Sequence, residues 1–82
     1  MEVVVVIHGD ERQRTSLVRQ LELADYVVES AGTGMEALGK VYALRPNAIV
    51  LDMDLPEMDG QDLTRLLRAV SEDVAIPRFR RS

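Results

Sequence analysis

Cysteine and tryptophan are absent from this 82-residue sequence. No disulfide framework and no thiolate metal site can form. Aromatic side chains are scarce, two Tyr and one Phe. No apolar run approaches the ~20 residues that a helix needs to cross a bilayer. The opening Met-Glu-Val-Val-Val-Val-Ile lacks a basic segment and a small-residue cleavage site, so no signal peptide is evident and cytoplasmic residence is expected. Cations are also few in the body of the chain. Residues 1 to 77 hold all 14 acids against seven bases, while Arg78, Arg80 and Arg81 crowd the last five positions. An acidic body argues against nucleic-acid binding by the main surface, and the basic tail is too short to reverse that.

What remains is a hydrophobic content of 46% with 29% charged residues, the balance of a soluble globular chain. The length allows one small domain, which buries only roughly 60% of its unfolded surface, so thin stability is expected. Val3 to Ile7 is an unbroken β-branched run and predicts a strand buried on both faces, as in a parallel sheet. His8-Gly9-Asp10 ends it, with Asp10 a candidate N-cap for a helix that buries Leu17, Val18 and Leu21. Tyr26 to Ser30 predicts a second strand. Thr33 and Glu36 then form a capping box, with Glu36 reaching back to the cap amide. That helix is expected to bury Leu38, Val41 and Tyr42, with Ala37 and Met35 beside them, and to stop at Arg45-Pro46-Asn47.

Ala48 to Leu51 is a third strand that ends in a carboxylate, Asp52. Open α/β sheets place chemistry at the carboxyl ends of their strands. Asp54, Pro56 and the pair Asp59-Gly60 follow, and Asp59 is a candidate N-cap for a helix presenting Leu63, Leu66, Leu67 and Val70. Val74 to Pro77 reads as the start of a fourth strand, which the three guanidiniums beyond it cannot continue into the middle of a sheet. The order βαβαβα with short connections implies a parallel sheet with helices on its faces.

Residues Asp52, Leu55, Pro56, Met58, Asp59 and Gly60 resemble the phosphoacceptor segment of response-regulator receiver domains of two-component signalling, Asp-x-x-Met/Leu-Pro-x-Met-Asp-Gly. Ala31, Gly34 and Glu36-Ala37-Leu38 are similar to the family's stretch after its second strand, Arg45-Pro46 to the approach to its third, and Ile76-Pro77 to the start of its fourth. The resemblance covers residues 2 to 77 and implies a flavodoxin-like (CheY-like) three-layer α/β fold. This one is incomplete, with parallel strands in order 2-1-3 and a stub of strand 4. It also implies Asp52 as the residue phosphorylated by a partner histidine kinase or phosphotransfer protein. Pro56 and Gly60 would shape the loop. Mg²⁺ would be held by Asp52 and the Asp54 carbonyl. Acyl phosphate formation needs a carboxylate in line with the donor and a cation to absorb charge.

The departures are as informative. The family's acidic pair falls on His8 and Gly9, so Asp10 is the remaining acid for the metal, against its simpler role as a cap, and Mg²⁺ binding is expected to be weak or absent. His8 itself is expected to be a partly buried histidine with no ligand role. A complete receiver closes its fourth strand with a hydroxyl residue and its fifth with a lysine. Ser82 falls in register with the first, and Lys40 on the second helix cannot serve as the other. The expectation is a partial receiver over residues 1 to 77 and a basic tail over 78 to 82. Impaired phosphorylation and self-association through an exposed sheet edge would follow. Two alternatives stand beside it. One is a pseudo-receiver that binds partners without phosphorylation. The other is a haloacid-dehalogenase-type phosphatase with Asp52 as nucleophile and Asp54 as general acid. The latter is disfavoured because its motif belongs on a first strand, with Thr or Val where this chain has Pro56. No enzymatic turnover is expected.

Overall fold

The computed structural model describes residues 2–71 and 74–76 and the backbone of 78–79. The elements are β1 (Val3–Ile7), α1 (Glu11–Leu23), β2 (Val27–Ala31), α2 (Gly34–Leu44), β3 (Ala48–Asp52), α3 (Gly60–Val70) and β4 (Arg78–Phe79). One parallel sheet runs in the order β2-β1-β3-β4. The expected 2-1-3 arrangement is therefore present. β1 lies at its centre, with Val5 opposite Glu29 on one side and Ile49 on the other.

Alternation along β1 and β3 divides the core. Val5, Ile7, Ile49 and Leu51 join Ala37 and Val41 of α2 and Leu63 and Leu67 of α3 in one buried cluster. Val4, Val6 and His8 point to the opposite face, the side of α1. α1 covers that face loosely. Leu17, Val18 and Leu21 are only half-buried, and no α1 residue is fully buried, contrary to the expected stripe.

The helices start where their polar residues dictate. Asp10, Thr33 and Asp59 are the N-caps, accepting from the amides of Gln13, Glu36 and Gln61. The capping box differs in one detail: Glu36 Oε1 accepts from the Gly32 amide at 2.8 Å, one residue before the cap. α2 ends with Arg45 in the left-handed region, φ 48°. Two stripes prove narrower than expected. Met35 and Tyr42 of α2 are 73% and 72% exposed, and Leu66 and Val70 of α3 are 44% and 41% exposed. Each helix buries only the side facing the sheet. β2 begins one residue later than expected, because the Tyr26 amide still bonds to Leu21 O and closes the helix end.

The chain after α3 also differs from expectation. The Ile49 amide donates to Ala75 O, and Leu51 and Asp52 pair with Arg78 and Phe79. Arg68 holds the segment by donating to the Val74 carbonyl. Arg78 therefore stays in the sheet instead of leaving it as a tail, and the outer edge of β3 is covered over part of its length. β4 is the last strand in the order, and a strand there tolerates a charged residue that a central one would not. Pro77, Arg80, Arg81 and Ser82 lie outside the described residues, as do Glu72 and Asp73.

Gly39 offers a test of the helix assignment. It sits inside α2, and a Cβ there meets nothing within 4 Å. Gly39→Ala is expected to stabilise the fold by about 0.5–1 kcal/mol, through helix propensity and lower unfolded-state entropy. A fall in urea midpoint would contradict a helical, open position.

Candidate functional site

β3 carries Asp52 to the carboxyl edge of the sheet, and β1 carries His8 to the same edge beside it. Both side chains have no accessible surface, and among the described residues they are the two buried polar or charged ones. His8 Nδ1 lies 3.3 Å from Asp52 Oδ2. The other carboxylate oxygen, Oδ1, accepts from the Asp54 amide at 3.0 Å. Burying two such groups is costly unless each finds a partner, and their mutual approach is the local answer.

Sequence reading missed this contact and is corrected by it. His8 was expected to be partly buried with no ligand role; it is fully enclosed, and its ring lies against the Asp52 carboxylate. Parallel pairing of β1 with β3 sets Ile7 opposite Leu51, which puts the next residues of each strand side by side. A strand-end histidine in register with a strand-end aspartate was the available signal.

The β1–α1 loop is fixed around the same pair. The Asp10 amide donates to His8 Nδ1 at 3.1 Å, and Arg14 Nη1 donates to His8 O at 2.9 Å. Asp10 Oδ1 accepts from the Gln13 amide at 3.0 Å, as a cap does. Gly9 lies under Pro56. An ideal Cβ at position 9 would come 3.1 Å from Pro56 Cδ, so the loop after β3 closes onto a residue that has no side chain.

That loop is tied down at both ends. Glu57 accepts from the Gly34 amide at 3.0 Å, which joins it to the start of α2. Gly60 lies against the Met53 backbone. Asp54 is exposed, on the rim formed by residues 53 to 59. On the α1 side a groove of about 430 Å³ is lined by His8, Gln13, Ser16, Leu17 and Val50.

The donors suit Mg²⁺ poorly. That ion takes oxygen ligands in near-octahedral array. Here Asp52 is in place, Asp10 is engaged as a cap, position 9 has no side chain, and an imidazole stands beside the carboxylate. Among the described residues no three His, Asp or Glu side chains converge on one point. No helix among them is long and apolar enough to cross a membrane.

Comparison with known proteins adds to this geometry. The family model described as the response regulator receiver domain matches residues 4–78. The chain is 40% identical over 73 residues to the response regulator MprA of Mycobacterium ulcerans, a match covering 89% of this chain and 32% of that protein. It thus spans about a third of the length of the curated relatives it matches. Among solved structures it is similar to a response regulator from Burkholderia pseudomallei with a phosphorylated aspartic acid, calcium ion and citrate. The TM-score there is 0.92 at 28% identity, over 98% of this chain and 47% of that one. It is also similar to the Vibrio cholerae chemotaxis protein CheY4, with a TM-score of 0.90 at 28% identity over 95% of this chain and 67% of that one.

Proposed function

Because the chain belongs to the response regulator receiver domain family, a family of signalling modules, we propose that Asp52 accepts a phosphoryl group from a histidine kinase or phosphotransfer protein. The observation that carries this reading is the position of Asp52, the acid at the carboxyl end of β3, in a loop pinned by Pro56, Glu57 and Gly60. In the transfer, one carboxylate oxygen forms the new O–P bond as the N–P bond of a phosphohistidine breaks, and the leaving imidazole nitrogen regains a proton. The Asp54 amide holds Oδ1 and so fixes the plane of the carboxylate. Oδ2 is then the attacking atom, and the His8 ring 3.3 Å away stands in its approach. Transfer therefore requires the ring to yield, which is the physical basis for an impaired acceptor.

Mg²⁺, when bound, would supply charge to the transferring oxygens, held by Asp52, the Asp54 carbonyl and Asp10. Recruiting Asp10 takes it from the Gln13 amide, at a cost of about 1 kcal/mol, so Mg²⁺ binding is weak. Pro56 and Gly60 shape the loop. The same proposal assigns the domain to the cytoplasm, with no turnover of its own, and has it self-associate through the outer edge of the sheet. A concentration-independent monomer by sedimentation would remove that last element.

Incubation with acetyl phosphate and Mg²⁺, read by intact-mass spectrometry, tests the reading. One phosphoryl adduct is expected on the wild type and none on Asp52→Asn. The full enclosure of Asp52 favours a second reading, a pseudo-receiver that engages partners unphosphorylated. No adduct on a folded wild type would establish it over the first.

A further inference from the structure

Arg14 lies in the first turns of α1, where long side chains lean back toward the helix start. Its guanidinium reaches the end of β1, six residues earlier, and Nη1 donates to His8 O at 2.9 Å. A second loop makes the seat. An ideal Cβ at Gly32, just after β2, would come 2.9 Å from Arg14 Nη1 and 3.4 Å from Cζ, so the guanidinium rests where residue 32 has no side chain. The His8 amide in turn donates to Ala31 O at 3.1 Å. The backbone of His8 is thus held on both sides of its Cα, by β2 at the amide and by α1 at the carbonyl.

We infer that Arg14 is a positioning residue: it pins the end of β1, holds the His8 ring against Asp52, and so restrains phosphoryl transfer to that acid. This rests on the reading of Asp52 as phosphoacceptor. In transfer from acetyl phosphate, Asp52 Oδ2 forms the new O–P bond as the bond from phosphorus to the acetyl oxygen breaks and acetate leaves. The ring 3.3 Å from Oδ2 has to give way to the incoming phosphorus. A ring on a pinned backbone gives way less readily than one on a free loop. Stretching a charge-assisted hydrogen bond on the way to the transition state slows the step by about ten-fold.

Gly32 separates the contact from the charge. In Gly32→Ala the added methyl evicts the far end of a flexible side chain, which is cheap, and the cation stays on the protein. Arg14→Gln removes both the contact and the charge. Both variants are expected to take up the acetyl phosphate adduct about ten-fold faster than wild type, and their combination no faster than either alone. Arg19→Gln, an exposed change on the same helix, is expected to match wild type. In a His8→Ala background, with no ring to hold, Arg14→Gln is expected to change nothing further. Circular dichroism melts confirm that each variant folds, and His8→Asn replaces a His8→Ala protein that does not.

A spectroscopic reading needs no phosphodonor. His8 is the single histidine of the chain, so its imidazole ¹⁵N resonances are assigned at once. They are expected to move in the same direction in Arg14→Gln and in Gly32→Ala, and to stay in place in Arg19→Gln.

Four results overturn the proposal. Ring resonances unmoved in both variants would mean that Arg14 does not position His8. Uptake in the variants equal to or slower than a labelled wild type would mean that the pin does not restrain transfer. An Arg14→Gln effect that Gly32→Ala fails to reproduce would belong to charge, and one that persists without the ring would belong to general loosening. Failure of the acceptor reading looks different, because no adduct then forms on wild type or on any variant, and the pin is decided by the resonances.

Discussion

Replacing Gly60 by Ala is expected to lower the melting temperature by about 12–24 °C, the shift that a loss of ~3 kcal/mol produces in a domain this small. The argument is one of space and not of backbone freedom, since no glycine among the described residues has a positive φ. An ideal Cβ at position 60 comes 2.7 Å from Met53 Cα, 2.8 Å from Met53 O and 2.9 Å from Met53 Sδ. The first two are backbone atoms at the end of β3, and they cannot rotate away. Relief requires α3 to back out, which would uncover Leu63 and Leu67, both fully buried. The loop that frames Asp52 would shift with them. Gly39→Ala is the matched control, expected to raise stability. Melts followed by circular dichroism give both values, and a Gly60→Ala variant within a few degrees of wild type would mean that the loop does not close as described.

Restoring acids at the end of β1 should have the second large effect. His8→Asp combined with Gly9→Asp is expected to tighten Mg²⁺ binding by about 10–100-fold. Without the ion the same variant should be less stable than wild type. Two added carboxylates would crowd Asp52, and like charges in one enclosed site repel. The Cβ at position 9 must also displace Pro56, which an ideal Cβ already approaches to 3.1 Å at its Cδ. The double variant should therefore gain stability with Mg²⁺, by about 2.7 kcal/mol when the ion is about a hundred times its Kd. Wild type should gain little over that range. Melting temperature against Mg²⁺ concentration decides it, and matching curves for the two proteins would show that His8 and Gly9 do not limit the metal.

The strands and caps were legible because they are local. A β-branched run such as Val3 to Ile7 and a cap such as Thr33 declare themselves within a few residues. What depends on neighbours was less so. Met35, Tyr42, Leu66 and Val70 continue apolar stripes, yet a sheet face touches only one side of each helix. The stub of a fourth strand was legible from Val74 to Pro77, but its place last in the sheet order, where Arg78 is tolerated, was not.

Within the site, Asp52 was identified from the loop motif, and the Asp10 and Asp59 caps from residue type and position. The contact of His8 with Asp52 was not, since it spans 44 positions and depends on the register of β1 against β3. The close fit of Gly9 to Pro56 was hidden for the same reason.

The most direct test of Asp52 as acceptor is chemical. An acyl phosphate on an aspartate is reduced by borohydride to homoserine, whereas an unmodified carboxylate survives. Protein treated with acetyl phosphate and Mg²⁺, then reduced and mapped by peptide mass spectrometry, is predicted to carry homoserine at position 52 and nowhere else. Homoserine at position 10 or 54 instead, or at no position in folded protein, would contradict the account.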